Sequence, residues 1–311
     1  MARVNYVFLT GYVSGIPRVV KASKSGKSGI GIVRLNVFRG DRKAGDEGEH
    51  VHLHDSPVLL TKDPEMLETF SHFKPNDIVI TKGVICTMHA KKSSTCPHCG
   101  AKNSVDGVQV YVWPIFAKKV QSCETEDDAV FALSEWREIS NNVICVATLV
   151  RDPREVKLVP KETNSRFQAL TLTEYQVALN RKYRVRSDPP EMTADYPWVK
   201  TYGQNAIDDR ERLCKGAEIL MDGYLQTRDI KRHATCAHCG EEYTWPERNM
   251  EIVPCGTEYL TGYYTDDIID KRREELAKEQ RQAYLNRRMK SPSASGDEDL
   301  GDADGGNADG Y

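Results

Sequence analysis

A pattern that returns after 140 residues governs what this chain can fold into. Gly83, Thr95, Cys96, His98, Cys99 and Gly100 recur as Gly223, Thr235, Cys236, His238, Cys239 and Gly240, always 140 positions later. Near the start of each unit Pro17-Arg18 recurs as Pro153-Arg154, an offset of 136, which places a four-residue insertion between the two sets of landmarks. Two copies of one domain, at 1–122 and 138–262, therefore account for most of the 311 residues. The linker at 123–137, with the partly helical string ETEDDAVFALSEWRE at 124–138, joins them.

Cysteine usage and charge set the class. The chain has nine cysteines, an odd number, and four of them form two Cys-x2-Cys pairs. No apolar run approaches a membrane span, and the first residues lack the apolar stretch and small-residue cleavage site of a signal peptide. A cytoplasmic, metal-binding chain is expected over a disulfide framework. The net charge of −3 conceals an asymmetry: residues 291–311 carry six carboxylates and no Lys or Arg, so 43 basic residues face 40 acidic ones in the rest, a body of +3 and a tail of −6. Within the first 45 residues, nine Lys/Arg are opposed by Asp41 alone. The Gly-, Ala-, Ser- and Asp-rich tail has too little apolar surface to offset its chain entropy and is expected to be disordered.

Each copy reads as mainly β. Short Val/Ile/Leu/Tyr-rich runs cover 4–12, 30–38, 51–60, 77–86 and 108–116, bounded by Gly, Pro, Asn and Lys/Ser-rich turns. One helix is expected between the third and fourth strands, at 63–73 and again at about 206–214. Five strands with that helix follow the order of a small OB barrel. The expected architecture is two tandem OB-fold barrels, each with a zinc-ribbon-like hairpin, then a charged helix within 263–290 and the acidic tail. Thr265 can cap the helix, and Ile269, Leu276 and Ala283 form a weak seven-residue seam.

Specific strings resemble one family. The segment DYPWVKTYGQNAIDDRERLCKGAEILMDGYLQTR (195–228) looks like the third strand, helix and fourth strand of bacterial and phage single-stranded DNA-binding proteins (SSBs). VNYVFLTGYVSGIPR (4–18) and NNVICVATLVRDPR (141–154) are similar to the first strand of that family, and VYVWPIFAKKVQ (110–121) to its closing strand. The chain departs from the family in having two barrels and a cysteine-rich hairpin between strands four and five. The resemblance implies a protein that coats single-stranded DNA in replication, recombination and repair and does no covalent chemistry. It also implies stacking of bases on Tyr196 and Tyr202, and an acidic tail that recruits replication and repair enzymes through Asp297, Glu298, Asp299, Asp302, Asp304, Asp309 and Tyr311. Two chains would supply the four barrels of family assemblies, and a two-barrel monomer remains open.

The residues argue in the same direction. Tyr196, Trp198, Lys200 and Tyr202 alternate along one strand and so share one face. Lys200 within that row favours a solvent-facing platform, since burying it would be costly. The first copy has His52, His54 and Leu60 in the corresponding strand and is expected to stack less. Phe38 and Tyr175 end the second strands beside Arg39, Arg42, Arg181 and Lys182. Lys21, Lys24 and Lys27 lie in one hairpin, with Lys157 and Lys161 in the matching one; Arg18, Trp113 and Arg228 complete the expected DNA contacts. Competing readings are an RNA-binding or transcription/translation accessory protein with the same architecture, and a nuclease or primase subunit.

Two structural Zn²⁺ ions are expected, one in each repeat. Cys86-x2-His89-x6-Cys96-x2-Cys99 offers a closed set of soft and imidazole ligands within fourteen residues. The second copy has Gln226 and Asp229 at the positions of Cys86 and His89, so His233 and Cys255 are expected to join Cys236 and Cys239. His98 and His238 are second choices, and Cys123 is an alternative to Cys86.

Overall fold

A computed structural model describes residues 4–21, 29–44, 49–157, 171–181 and 194–290, with only the backbone at 41–44, 49–52, 157 and 287–290. In the first repeat, strands β1 (Asn5–Val13), β2 (Arg18–Val20), β3 (Ile30–Ala44), β4 (Glu49–Asp55) and β5 (Val58–Thr61) precede helix α1 (Pro64–Ser71) and the long hairpin β6 (Ile78–Thr95) and β7 (Lys102–Gln121). After helix α2 (Glu126–Leu133) and a 3-10 turn (Ser134–Ile139), the order returns. It runs β8 (Asn141–Leu149), β9 (Arg154–Lys157), β10 (Thr171–Asn180), β11 (Ala194–Asp195), β12 (Trp198–Tyr202), helix α3 (Gly203–Arg212), β13 (Glu218–Thr235) and β14 (Glu242–Thr261). The expected third strand at 51–60 is broken into β4 and β5 by Ser56 and Pro57, and the fourth and fifth strands run well past their expected ends.

The pairings close on themselves in each repeat. β1 pairs with β3 and β6, β3 with β5, β5 in parallel with β7, and β7 with β6. The second repeat repeats that circuit through β8, β10, β12, β14 and β13. β1 and β8 then pair antiparallel, with Val7 opposite Val143, and fuse both circuits into one 14-stranded sheet. Alternation supplies the interior: Val7, Leu9, Leu35, Val37, Leu59, Val143, Tyr175, Val177, Val199 and Ile252 are among the fully buried residues of one continuous core.

Local chemistry explains the turns. Asp63 caps α1 by accepting the amides of Glu65 and Met66, Pro64 starts the helix, and Leu67 and Phe70 face the core. The connector is tied down by a capping box between Thr125 and Asp128 and by Ala129, Ala132 and Leu133 packed with Tyr12 and Ile78. Gly83 and Gly223, both in the repeat, sit at bulges opposite Pro114 and Pro254. A side chain at Gly83 would come 2.6 Å from the Trp113 carbonyl, and at Gly223 2.2 Å from that of Val253.

The same buried amide bond recurs in both copies. Asn5 donates to the Ile85 carbonyl at 3.0 Å and accepts its amide at 2.9 Å; Asn141 does the same to Leu225 at 2.8 and 3.0 Å. Both repeats lie in one compact unit ending at Tyr264. The second unit contains helix α4 (Asp266–Lys290), with acidic residues in its first turn; Leu276 of the expected seam is 55% exposed. No described helix is long and apolar enough to cross a membrane.

Candidate nucleic-acid groove and four-cysteine centre

The hairpins do not stay with their own repeats. Asp195, at the end of β11 in the second repeat, accepts the amide of Thr87 in the first hairpin at 2.6 Å and its hydroxyl at 3.1 Å. Asp55, 140 positions earlier, accepts the amide of Thr227 in the second hairpin at 2.7 Å and its hydroxyl at 3.3 Å. Arg181 pairs with Asp195, and Arg39 approaches Asp55 at 3.5 Å. Each hairpin is thus docked across the face of the other repeat.

The tips of the hairpins meet. Cys96, Cys99, Cys236 and Cys239 place their sulfurs within 4.8 Å of one another, with Cys96–Cys239 at 3.8 Å and Cys99–Cys236 at 3.6 Å. Each pair is set by one tight turn: Gly100 and Gly240, at φ of +71° and +76°, return their amides to the carbonyls of Cys96 and Cys236. Amides of Cys239 and His238 and the side-chain amide of Asn103 hold the Cys236 thiol down to about 5. Cys99, although the Ala101 backbone favours its thiolate, is pushed up to about 12 by burial and the other three sulfurs. A cation bound among the four sulfurs would let all of them stay as thiolates. Tetrahedral Zn–S bonds of about 2.3 Å place sulfurs about 3.8 Å apart, matching the observed separations.

This arrangement corrects the expected ligand sets. Cys86 lies ten residues along β6 from Cys96, about 30 Å at strand rise, in a buried cluster with Leu60, Val84, Tyr111 and Trp113. His89 is exposed, seven residues along the same strand, about 20 Å away. His233 is exposed on the stalk of its hairpin, and Cys255 lies near the far end of β14, beside Gly256, which pairs with Asp222. Cys123 packs beside α2. Two within-repeat sets are replaced by one shared group. The signal was available: Cys-x2-Cys is the part of the candidate set that repeats, and two ligands twice make four.

The expected DNA-contact residues divide. Tyr196, Trp198, Lys200 and Tyr202 do share the outer face of the β11–β12 segment, opposite buried Asp195, Pro197, Val199 and Thr201. Tyr196 is 48% exposed, and the Arg151 guanidinium lies 5.3 Å from the Trp198 ring. Tyr202 is half-buried and donates to Gln226 at 3.2 Å. Lys200, however, is buried, 3.2 Å from Glu251 and 3.7 Å from Glu174. The cost of burying a lysine is met by two carboxylates, so its presence in the row did not require solvent. Arg228 reaches Glu251 at 2.8 Å and Arg154 pairs with Glu174. Burial pushes the Glu251 carboxyl up to about 7 against the pull of Arg228.

Other expected contacts are structural. Tyr175 is fully buried and donates to Asp209, whose carboxyl burial raises to about 6 despite a second hydroxyl from Tyr259. Trp113 and Arg181 are buried. Phe38 packs edge-on to His54 beneath Arg137. Arg18 and Lys21 are exposed, Lys21 3.7 Å from Glu68. Lys24, Lys27, Lys161, Lys182 and the whole tail lie outside the described residues, as do the side chains of Arg42, His52 and Lys157.

Around this face runs a groove of about 370 Å³. Tyr196, Trp198, Lys200 and Glu174 line it together with Arg228, Ile230, Arg232 and Glu251, and Val108 and Val110 come from the other repeat's hairpin. Sequence reasoning missed Arg154, Arg232, Glu174 and Glu251, which sit on separate strands of the second repeat and meet only through sheet pairing, and the two valines, which arrive on the other repeat's hairpin.

Circuit and groove together define an internally duplicated, mainly β protein with a cross-repeat surface cleft. No protein-family model and no curated protein matches the sequence. Two crystal structures of the single-stranded DNA-binding protein from Thermus aquaticus, a deletion mutant and the wild type, are similar in fold. Their TM-scores are 0.53 and 0.52 at 16% identity, covering 86% and 85% of this chain and 99% and 97% of theirs.

Proposed function

We propose that the protein binds single-stranded DNA through two tandem OB barrels, coating and protecting it during replication, recombination and repair without covalent chemistry. The observation that carries this reading is the cross-repeat groove. Exposed Tyr196 and partly exposed Trp198 offer stacking faces beside Arg154, Arg228 and Arg232. The fold it shares with the Thermus aquaticus protein supports it. Zn²⁺ is the ion proposed for the four cysteines, as one structural ion in a closed thiolate set. The acidic tail docks replication and repair enzymes.

A homodimer is the proposed assembly. Phe8, Ile80, Phe116, Ile139 and Ile144 line a shallow apolar hollow of about 560 Å³ where the repeats join. Lys82 and Asp222, related by the 140-residue repeat, lie on that face with opposite charge, so a second copy laid face to face finds complementary ends.

Binding of the full chain and of a chain ending at Lys290 to single-stranded DNA, duplex DNA and RNA across a salt series tests the function. Preference for single-stranded DNA and a steep fall in affinity with salt are expected. Equal affinity for duplex, or a preference for RNA, overturns it. Removing the tail is expected to strengthen binding at low salt, because a local polyanion competing for the cations is gone.

A further inference from the structure

The cysteine centre closes a contact that the rest of the molecule prepares. Each hairpin leaves its own repeat, docks on the other through an aspartate–threonine contact, and arrives beside its counterpart. Between the docking points and the sulfurs, Lys92 of one hairpin and Arg232 of the other share Glu247. The hydroxyls of Ser94 and Tyr243 lie 2.7 Å apart. Asn103 directs its amide nitrogen to the Cys236 sulfur at 3.4 Å and accepts the Ala237 amide at 3.0 Å. The stalks of these hairpins carry Val108, Val110, Arg228 and Arg232, which line the groove.

We infer that one metal ion, held by two thiolates from each repeat, is a clasp on the groove: it fixes the spacing of the hairpin stalks and sets how long a bound strand stays. The clasp itself stands on geometry alone; its effect on residence rests on the proposed nucleic-acid binding. Ligand sets confined to single repeats would stabilise each hairpin separately and leave the gap between them unconstrained. With the set divided two and two, the binding free energy of the ion is spent on the contact between repeats. No ligand is among the residues lining the groove, so the ion acts on dissociation through the walls, where most affinity changes arise.

The test uses the full chain loaded with Zn²⁺, the same chain stripped by a chelator and reloaded with Zn²⁺ or Co²⁺, and the variants Cys96→Ser, Cys239→Ser, Cys86→Ser and Cys255→Ser. Metal content, hydrogen exchange of the stalks, and dissociation of a labelled oligothymidylate chased with unlabelled strand are measured. One ion per chain is expected in the parent, Cys86→Ser and Cys255→Ser, and none in Cys96→Ser or Cys239→Ser. Co²⁺ should give the absorption of a tetrahedral four-thiolate site. Loss of either cysteine should deprotect both stalks together, and stripping should speed dissociation roughly tenfold or more, reversed on reloading. Two ions per chain, an ion retained in Cys239→Ser, or deprotection confined to the mutated hairpin overturns the clasp. Unchanged dissociation after stripping overturns its role in residence. If the parent binds no single strand while the metal and exchange results hold, the nucleic-acid reading falls and the clasp stands.

Discussion

The two repeats share a scaffold and differ on the face it presents. Asn5 and Asn141, Asp55 and Asp195, and Thr87 and Thr227 make matching contacts in the two copies. On the outer face, register places Ile32 and Leu60 where the second repeat has Glu174 and Lys200, and the 140-residue offset places Met88 and Tyr111 where it has Arg228 and Glu251. The first repeat fills that space with a dry cluster of Leu60, Val84, Cys86, Tyr111 and Trp113. The second fills it with an ion cage and leaves aromatic rings at its edge. One backbone therefore accepts either a packed apolar face or a charged cleft, and at this face the second sets cations and exposed rings side by side. Cys86 belongs to the apolar solution, which is why it does not reach the metal centre.

The largest test of this contrast is to break the cage. Lys200→Met leaves Glu174 and Glu251 facing one another without their shared cation and should cost about 3–5 kcal/mol in denaturant unfolding. Grafting the first repeat's solution, Glu174→Ile with Lys200→Leu, Arg228→Met and Glu251→Tyr, should be neutral or stabilising by up to about 4 kcal/mol, since it replaces buried charge with packing. It should abolish any strand binding at the groove. A graft as costly as the single break would show that the cage is required by the backbone rather than by the ligand.

Acidity provides the next test. The Glu251 carboxyl stands at about 7 in the folded chain, above its ordinary value of 4.5, so the folded state binds the extra proton between those values. The stability this confers is complete below about 4.5 and is lost as pH rises through about 7. Asp209, raised to about 6, adds a drift of the same sign. Glu251→Gln should flatten the upper part of the profile, measured as unfolding free energy against pH; an unchanged slope would place the titration elsewhere.

Equal scaffolds predict equal costs. Asn5→Ala and Asn141→Ala each strand a buried amide and carbonyl and should each cost about 1–3 kcal/mol. A large difference between them would break the symmetry of the two circuits. The binding faces should differ instead: Tyr196→Ala and Trp198→Ala are expected to lose about 1–3 kcal/mol of strand affinity per stacked base, and Val58→Ala at the position matching Trp198 almost none. Equal losses in both repeats would remove the asymmetry from function.

Much of the scaffold was legible in the sequence because it is written locally and twice. Strand runs, the helix after the third strand and the outward alternation of Tyr196, Trp198, Lys200 and Tyr202 follow from period-two patterning and turn residues. What was not legible depended on neighbours far along the chain. Lys200 read as a solvent-facing cation because Glu174 and Glu251 lie 26 positions before it and 51 after it. Tyr175 read as a stacking ring because the Asp209 that holds its hydroxyl comes from a helix 34 residues on.

The sequence by itself determined that the chain is a duplication, that each copy is mainly β with one helix, and that a Cys-x2-Cys turn ends each hairpin. Those properties reside in spacing, turn chemistry and repetition, which need no knowledge of the other copy. Tertiary structure alone decided that the hairpins cross to the opposite repeat, that four cysteines form one group instead of two, and that a groove lined from both repeats opens on the outer face of the second. The reason is physical. A hairpin of about twenty residues per strand reaches far beyond its own circuit, and where it comes to rest is fixed by a buried aspartate on the other repeat, 108 residues away from Thr87 and 172 from Thr227.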